Sequence, residues 1–320
     1  MTARVSIVIT SFNQSAYIAE AIQSSLRQTV EDVEVVIVDD GSQDDSVNII
    51  EGFLDDSRVR FVRQSNEGPS AAFNAGLENA SGEYIAWLGG DDVCMPDRIE
   101  RQLELISSTR ADVVFCVPEI IDAQGYALEN KDFPVFSIKF SQKNLLETLL
   151  TVGNFFCAPS AFMSRRVFER IGILRRGLVQ LQDFEYWIRC AINGLVFHRD
   201  ERAVIKYRRH EANLSSKSGA FASSCEFAMI VGNALDNPDA AAAIRRASSH
   251  LLLPNSSNSA SLSTLDKVLF LLSNNNSQMK ARGAVLAIQS MEKEEFRMEL
   301  RNASISFPAF LSASLSNLEV

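Results

Sequence analysis

The chain of 320 residues has few covalent staples to draw on. Its five cysteines, Cys94, Cys116, Cys157, Cys190 and Cys225, form an odd set without short paired spacing. That pattern argues against a disulfide framework or a cysteine-based zinc site and reads as reduced core thiols. No run of about 20 apolar residues occurs, so no membrane-spanning helix is expected. Positive charge is also scarce. With 31 Lys+Arg against 40 Asp+Glu the formal net charge is −9. The basic face of a nucleic-acid binder is missing, and no nucleic acid is expected as a partner. An anionic ligand must then be held by a metal ion, backbone amides or a few local cations. No Gly-x-Gly-x-x-Gly follows the first apolar run, which argues against a dinucleotide-binding oxidoreductase. No internal repeat is found. No signal peptide precedes the first strand at Val5, so a cytoplasmic protein is expected, with peripheral contact at the inner membrane face left open.

What is present is a core. Hydrophobic residues make up 46% of the chain. Strand-forming apolar runs at 5–10, 33–38, 59–62, 83–88 and 112–117 alternate with helical spacing. The first helix carries Tyr17, Ile18, Ala21, Ile22 and Leu26, with Asn13 or Ser15 as its cap, and the second carries Val47, Ile50, Phe53 and Leu54. Pro69 opens a third, and a fourth spans about 96–107. This alternation predicts an α/β fold with a mixed, mainly parallel sheet flanked by helices. A hairpin is expected around residues 123–125, helices near 145–150 and 183–193, and one strand over 195–207. Beyond about Lys217 helices are expected at 221–235, 238–252, 264–273 and 279–299, with Ser/Asn-rich breaks at 255–263 and 273–277. The predicted division is a domain of residues 1–217 and a mostly helical C-terminal region of residues 218–320.

Two of the apolar runs end in paired acids: Asp39-Asp40 after 33–38, and Asp91-Asp92 after 83–88 and Gly89-Gly90. In an open α/β sheet ligands bind beyond the carboxyl ends of the strands, and parallel strands put both pairs on that rim. Adjacent carboxylates repel and call for a cation, a hydroxyl-rich ligand or solvent. Magnesium and manganese suit such a pair, because they take one or two carboxylates and fill the rest of their shell with phosphates and water.

Six separated segments resemble, in order, the inverting family 2 glycosyltransferases of the GT-A fold: residues 5–13, 34–42, 66–76, 83–98, 182–189 and 207–215. The resemblance covers roughly residues 4–215. It implies transfer of a sugar from a nucleotide diphosphate sugar, UDP or dTDP favoured, to an acceptor hydroxyl. The acceptor implied is a saccharide or lipid-linked saccharide in bacterial surface-polysaccharide synthesis. A divalent cation, Mn2+ or Mg2+, is implied as cofactor.

Residue by residue, the resemblance makes Asp183 the catalytic base, with Glu185 as fallback. Asp92 and His210 become the metal ligands, and Asp91 contacts the ribose or shares the ion. Asp40 reads the base, Asp39 stands nearby, and Thr10 and Phe12 line the nucleoside pocket, Phe12 by stacking. Arg208 and Arg209 are candidates to hold phosphate. Three departures stand out. Gly89 occupies the place of the first acid of an Asp-x-Asp-Asp motif, Phe73 stands where many relatives carry Arg, and Gln182 replaces a frequent Glu. The first two keep a second reading open, a catalytically degenerate nucleotide-sugar binder.

Overall fold

The computed structural model describes residues 4–129, 135–214, 220–247, 261–274 and 276–307. They fall into two compact units, one within Met1–Gln142 and Asn154–Ser216, the other within Lys143–Gly153 and Lys217–Val320. The expected boundary at residue 217 lies outside the described residues.

The first unit is built on strands β1 (Val5–Ser11), β2 (Val33–Asp39), β3 (Val59–Arg63), β4 (Tyr84–Gly89), β5 (Val93–Cys94), β6 (Val113–Cys116), β7 (Glu119–Ile121), β8 (Ala127–Leu128), β9 (Phe162–Ser164), β10 (Phe197–Asp200) and β11 (Ile205–Arg208). Seven of them form one sheet in the order β10-β6-β9-β4-β1-β2-β3. Only β9 runs against the rest, pairing antiparallel with both β4 and β6. The sheet is therefore mixed and mainly parallel, as the alternating pattern predicts.

Period-two alternation decides which helix covers which face. Val5, Ile7 and Ile9 of β1, with Val35 and Ile37 of β2, share one core with Ile18, Ala21 and Ile22 of α1 (Ile18–Leu26) and Ile99 of α4 (Arg98–Thr109). Val8 and Val38 point the other way, onto α3 (Pro69–Asn79). There Gly76 approaches so closely that a Cβ would lie 2.3 Å from Val8 Cγ1. Only glycine lets α3 settle at that depth.

Arg98, fully buried, braces this architecture from α4. Its guanidinium donates to Gln102 Oε1 (3.0 Å), the Trp87 carbonyl of β4 (2.7 Å) and Cys94 Sγ (3.3 Å). The remaining helices of this unit are α2 (Ser46–Glu51), α6 (Arg165–Ile171) and α7 (Gln182–Ile192).

A smaller sheet, β5-β11-β7-β8, stands beside the end of β4. The expected hairpin is its β7–β8 pair.

Several local expectations are corrected. Neither Asn13 nor Ser15 caps α1; Tyr17 takes the cap position without a side-chain bond. Asn13 to Ser15 are instead stitched to residues 42–46: Asn13 N–H donates to Ser42 Oγ, Gln14 N–H to Ser46 Oγ and Ser15 N–H to Asp44 Oδ2. Helix α2 stops at Glu51, which leaves Leu54 exposed beyond it. The strand expected over 195–207 is two strands in different sheets. Asp200 accepts from the Arg202 N–H (3.2 Å), a side-chain turn that breaks the ladder.

The second unit holds α5 (Leu145–Val152), α8 (Ala220–Leu235), α9 (Ala241–Ala247), α10 (Thr264–Ser273), α11 (Ser277–Ser290) and α12 (Glu294–Asn302). A reciprocal Ser263–Asp266 capping box starts α10. Leu265, Val268, Leu272, Ala287, Phe296 and Leu300 close its core. The helix expected over 279–299 is interrupted by a turn where Lys293 N–H bonds back to the Ser290 carbonyl. The helix expected at 238–252 starts as a 3-10 turn, Pro238–Ala240, and continues as α9; its residues 248–252 and most of the break at 255–263 lie outside the described residues. Among the described residues no helix is long and apolar enough to cross a membrane.

Candidate active site

Strands β1, β2 and β4 end side by side. In register, Ser11 faces Asp39 and Thr10 faces Gly89. The Gly90 N–H donates to the Thr10 carbonyl (2.9 Å) and the Asp40 N–H to the Ser11 carbonyl (2.8 Å), so both acidic pairs are pinned to the end of β1. Thr10 is half-buried there, and Phe12 stands next to it with its ring exposed.

The two acids of each pair take different hydrogen-bond partners. Asp39 is fully buried; Oδ1 accepts from the Ser42 N–H (2.9 Å), and Oδ2 has no partner among the described residues. Asp40 is turned onto the segment before α3. It accepts from Gln64 Nε2 (2.7 Å) and from the N–H groups of Glu67 and Gly68 (both 2.9 Å). Three of about four lone-pair sites of that carboxylate are filled by the chain itself.

At the end of β4, Asp91 rather than Asp92 meets His210. Asp91 Oδ2 lies 3.0 Å from His210 Nε2 and accepts from Asn213 Nδ2 (3.1 Å). Asn213 Oδ1 in turn accepts the His210 N–H. The Tyr17 ring packs 4.8 Å from the imidazole. Asp92 points inward, 2% exposed, and accepts the Arg208 N–H (3.0 Å). Burial and the neighbouring Asp91 carboxylate push its pKa well up, against the pull of Arg208 and Arg98.

Gly89 explains how the paired carboxylates fit. A Cβ on it would lie 2.7 Å from Asp91 Oδ1 and 2.8 Å from Asp92 Oδ2. The two acids fold over the space that a side chain at 89 would fill.

Arg208 is not a free phosphate ligand. Its side chain is 2% exposed and donates to the carbonyls of Asp91 (2.8 Å) and Asp122 (3.2 Å) and to Glu20 Oε2 (2.6 Å), over the Tyr17 ring. It fastens the acidic loop to α1 and to the hairpin. The Arg209 N–H bonds the Ile121 carbonyl, extending the small sheet.

Asp183 sits in the first turn of α7, nearly buried. Asn154 Nδ2 donates to its Oδ2 at 2.6 Å. The Trp187 indole N–H faces the same carboxylate without reaching bonding geometry. Burial raises the carboxyl to about 6, partly offset by the Asn154 amide and the Phe184 N–H. Glu185, the fallback base, is consumed: its two oxygens pair with Arg175 (3.1 Å) and Arg189 (2.9 Å). Trp187 is core, edge-on to Phe115. The segment 154–157 links the two centres. Its first residue bonds Asp183, and Cys157, three residues on, lies close enough to Asp92 for that charge to help raise the thiol.

Phe73 is also core, 4.0 Å from the Trp87 ring. The cation that the resemblance would put at this position is absent. Four residues with a part in these contacts are not site candidates in the sequence: Tyr17, Glu20, Asn154 and Asn213. Only Asn213 lies inside a recognised segment, 207–215.

The donor set for a cation is one carboxylate and one imidazole. It fits a divalent ion that takes one or two protein ligands and completes its shell with phosphate oxygens and water. Among the described residues no group of three or more His, Cys, Asp or Glu is gathered for a metal. A closed protein cage is therefore not what these residues build.

A mainly parallel sheet with acids gathered at its carboxyl ends, and a segment after β11 that brings His210 to Asp91, is the arrangement of a GT-A glycosyltransferase domain. Solved structures share the fold. S. aureus TarS 1–349, in complex with UDP-GlcNAc, superposes with a TM-score of 0.60 at 16% identity, over 95% of this chain and 93% of that one. The mannosyltransferase PcManGT of Pyrobaculum calidifontis, in complex with GDP-Man and Mn2+, gives 0.53 at 18%, over 99% of this chain and 87% of that one. An uncharacterized glycosyltransferase of Rickettsia felis is 31% identical over 221 residues, 67% of this chain; the match spans only 35% of that relative's length. Residues 6–172 match glycosyl transferase family 2, and the chain belongs to that family.

Proposed function

We propose that the protein is an inverting, cation-assisted glycosyltransferase that moves a sugar from a nucleotide diphosphate sugar to an acceptor hydroxyl. The observation that carries this reading is Asp183: a buried carboxyl raised to about 6, held by an amide, in the unit that also carries the Asp91–His210 pair. A base near neutral pH is suited to taking a hydroxyl proton.

The acceptor hydroxyl gives its proton to Asp183. Its oxygen attacks the anomeric carbon from the face opposite the diphosphate. The bond to the diphosphate oxygen breaks, the nucleoside diphosphate leaves with the electron pair, and the configuration inverts without a protein nucleophile. Asp91 and His210 are the residues to hold the cation, whose chemistry is to neutralise charge on the departing diphosphate. Asp92 supports them from inside through Arg208. Thr10 and Phe12 line the nucleoside side, with the Phe12 ring available for stacking. Asp40 retains about one lone-pair site for a base N–H, which fits a uridine or thymidine diphosphate donor. Asp39 stands behind it. A saccharide or lipid-linked saccharide acceptor in surface-polysaccharide synthesis fits the family. So does a cytoplasmic enzyme working at the membrane face.

The test is calorimetric titration with UDP, dTDP and GDP, each with and without Mn2+, on wild type, Asp91→Asn and His210→Ala. One nucleotide should bind in a metal-dependent way, and either variant should weaken it about tenfold or more, at least 1.4 kcal/mol. Absence of binding to all three overturns the donor site. Gly89 and the buried Phe73 favour one alternative, a binder without turnover. It would bind nucleotide sugar yet show neither transfer nor donor hydrolysis.

A further inference from the structure

Asn154 lies outside every recognised segment, yet it makes the shortest contact to Asp183 that the structure gives, 2.6 Å. Its amide is not free to turn. Asn154 Oδ1 accepts the Phe156 N–H (3.3 Å), which fixes the NH2 end toward the carboxylate. The next two residues anchor the segment. Phe155 and Phe156 are 1% and 2% exposed, and Phe156 stacks on Phe115 at 4.3 Å. Phe115 meets Trp187 edge-on, on the same helix as Asp183. The amide and the carboxylate are thus held by one aromatic cluster. An asparagine here is not needed to fill space, because it is only half-buried.

We propose that Asn154 is the positioning residue of the transfer: by holding Oδ2 it fixes how the Asp183 carboxylate is presented to the acceptor hydroxyl, and it favours the ionised form. This rests on Asp183 being the base. The direction follows from chemistry. A neutral amide donor stabilises a carboxylate against its protonated form without adding charge. Without the amide, only local groups of the same helix start, such as the Phe184 N–H, would oppose burial, leaving the base protonated to higher pH and fixed from one side. The charged groups around it do not substitute for the amide. Glu185 on the same helix is paired with Arg175 and Arg189, and Asp92 accepts the Arg208 N–H.

The experiment compares pH profiles of kcat and kcat/KM for wild type, Asn154→Ala, Asn154→Asp and Asp183→Asn, with donor KM and thermal melts. A 13C titration of the Asp183 carboxyl gives a readout independent of turnover. In Asn154→Ala the acidic limb and the carboxyl titration should both move up by about one pH unit, with kcat at pH 7 down about tenfold and donor KM within about twofold. Asn154→Asp should move the limb further, because two facing carboxylates share one proton. A fall in kcat or melting temperature with the limb and titration unmoved overturns the inference and leaves Asn154 a packing residue. If Asp183→Asn keeps wild-type turnover, the base assignment falls and Asn154's role with it. If Asp183→Asn is dead while Asn154→Ala leaves limb and titration in place, the positioning role alone falls.

Discussion

Asp183 carries a conflict between chemistry and stability. A buried carboxyl raised from 3.8 to about 6 is favoured by folding only while protonated. Its stabilising share is present below pH 4 and is lost as pH rises through 6. Asp183→Asn removes the buried charge and keeps a partner for Asn154. The variant should lose turnover by about 10²–10⁴-fold. It should also be more stable than wild type by up to about 2–3 kcal/mol at pH 7.5, a gain that vanishes near pH 4. Chemical denaturation at the two pH values checks it; a gain that persists at pH 4 would contradict the titration. At this scale the sequence distinguishes poorly between neighbours. Asp91 and Asp92 read alike as letters, and the resemblance assigns the metal to Asp92. In the folded chain both carboxylates converge over Gly89, but Asp91 reaches His210 while Asp92 accepts the buried Arg208 N–H. Asn154 was unreadable for another reason: its partner stands 29 residues away and no motif surrounds it.

Among the elements, β11 does the most for the site. It pairs with β5 immediately after Asp92, and Arg208 at its end ties β4, α1 and the β7–β8 hairpin together. Glu20, its acidic partner, is more than half exposed, so that ion pair contributes little. The backbone carbonyls matter more. Arg208→Met keeps much of the stem but leaves the carbonyls of Asp91, Asp122 and Ala123 without this donor. The expected loss is about 3–5 kcal/mol, read as a lowered denaturation midpoint, together with weaker metal-dependent nucleotide binding. A stability change under about 1 kcal/mol would show that the carbonyls find other partners. The strands of the large sheet were readable because alternating β-branched residues meet two covered faces. The division of residues 195–207 between two sheets was not, because it depends on one side-chain turn at Asp200 rather than on hydropathy.

For the whole molecule, on the proposed reading, the ion is an agent of chemistry rather than a staple of the fold. Two protein ligands at one rim add nothing to the cores, which close on Ile7, Ile22 and Ile37 in one unit and on Val268 and Phe296 in the other. Chelation should therefore abolish transfer while moving the melting temperature by less than about 2 °C. Adding nucleotide with Mn2+ at a hundredfold over Kd should stabilise by about 2.7 kcal/mol. A large melting shift on chelation alone would reveal a structural metal. The fold class was readable from the strand–helix alternation and from six ordered segments. The purpose of the helical unit was not, since its sequence encodes packing and capping, as at Ser263–Asp266, but no chemistry.

The joining of β5 to β11 also orders events in time. Asp91 and His210 are separated by 119 residues, whereas Asn154 and Asp183 are separated by 29. On the ribosome the chain grows by about 5–20 residues per second. Strands β1 to β4, with both acidic pairs, are thus exposed for seconds before their histidine exists. A nascent chain ending at residue 204 carries the candidate base and its amide but no cation corner. On the proposed reading the cation corner is consequently among the last parts of this unit to be assembled, and a chain stopped short of His210 should not bind nucleotide in a metal-dependent way.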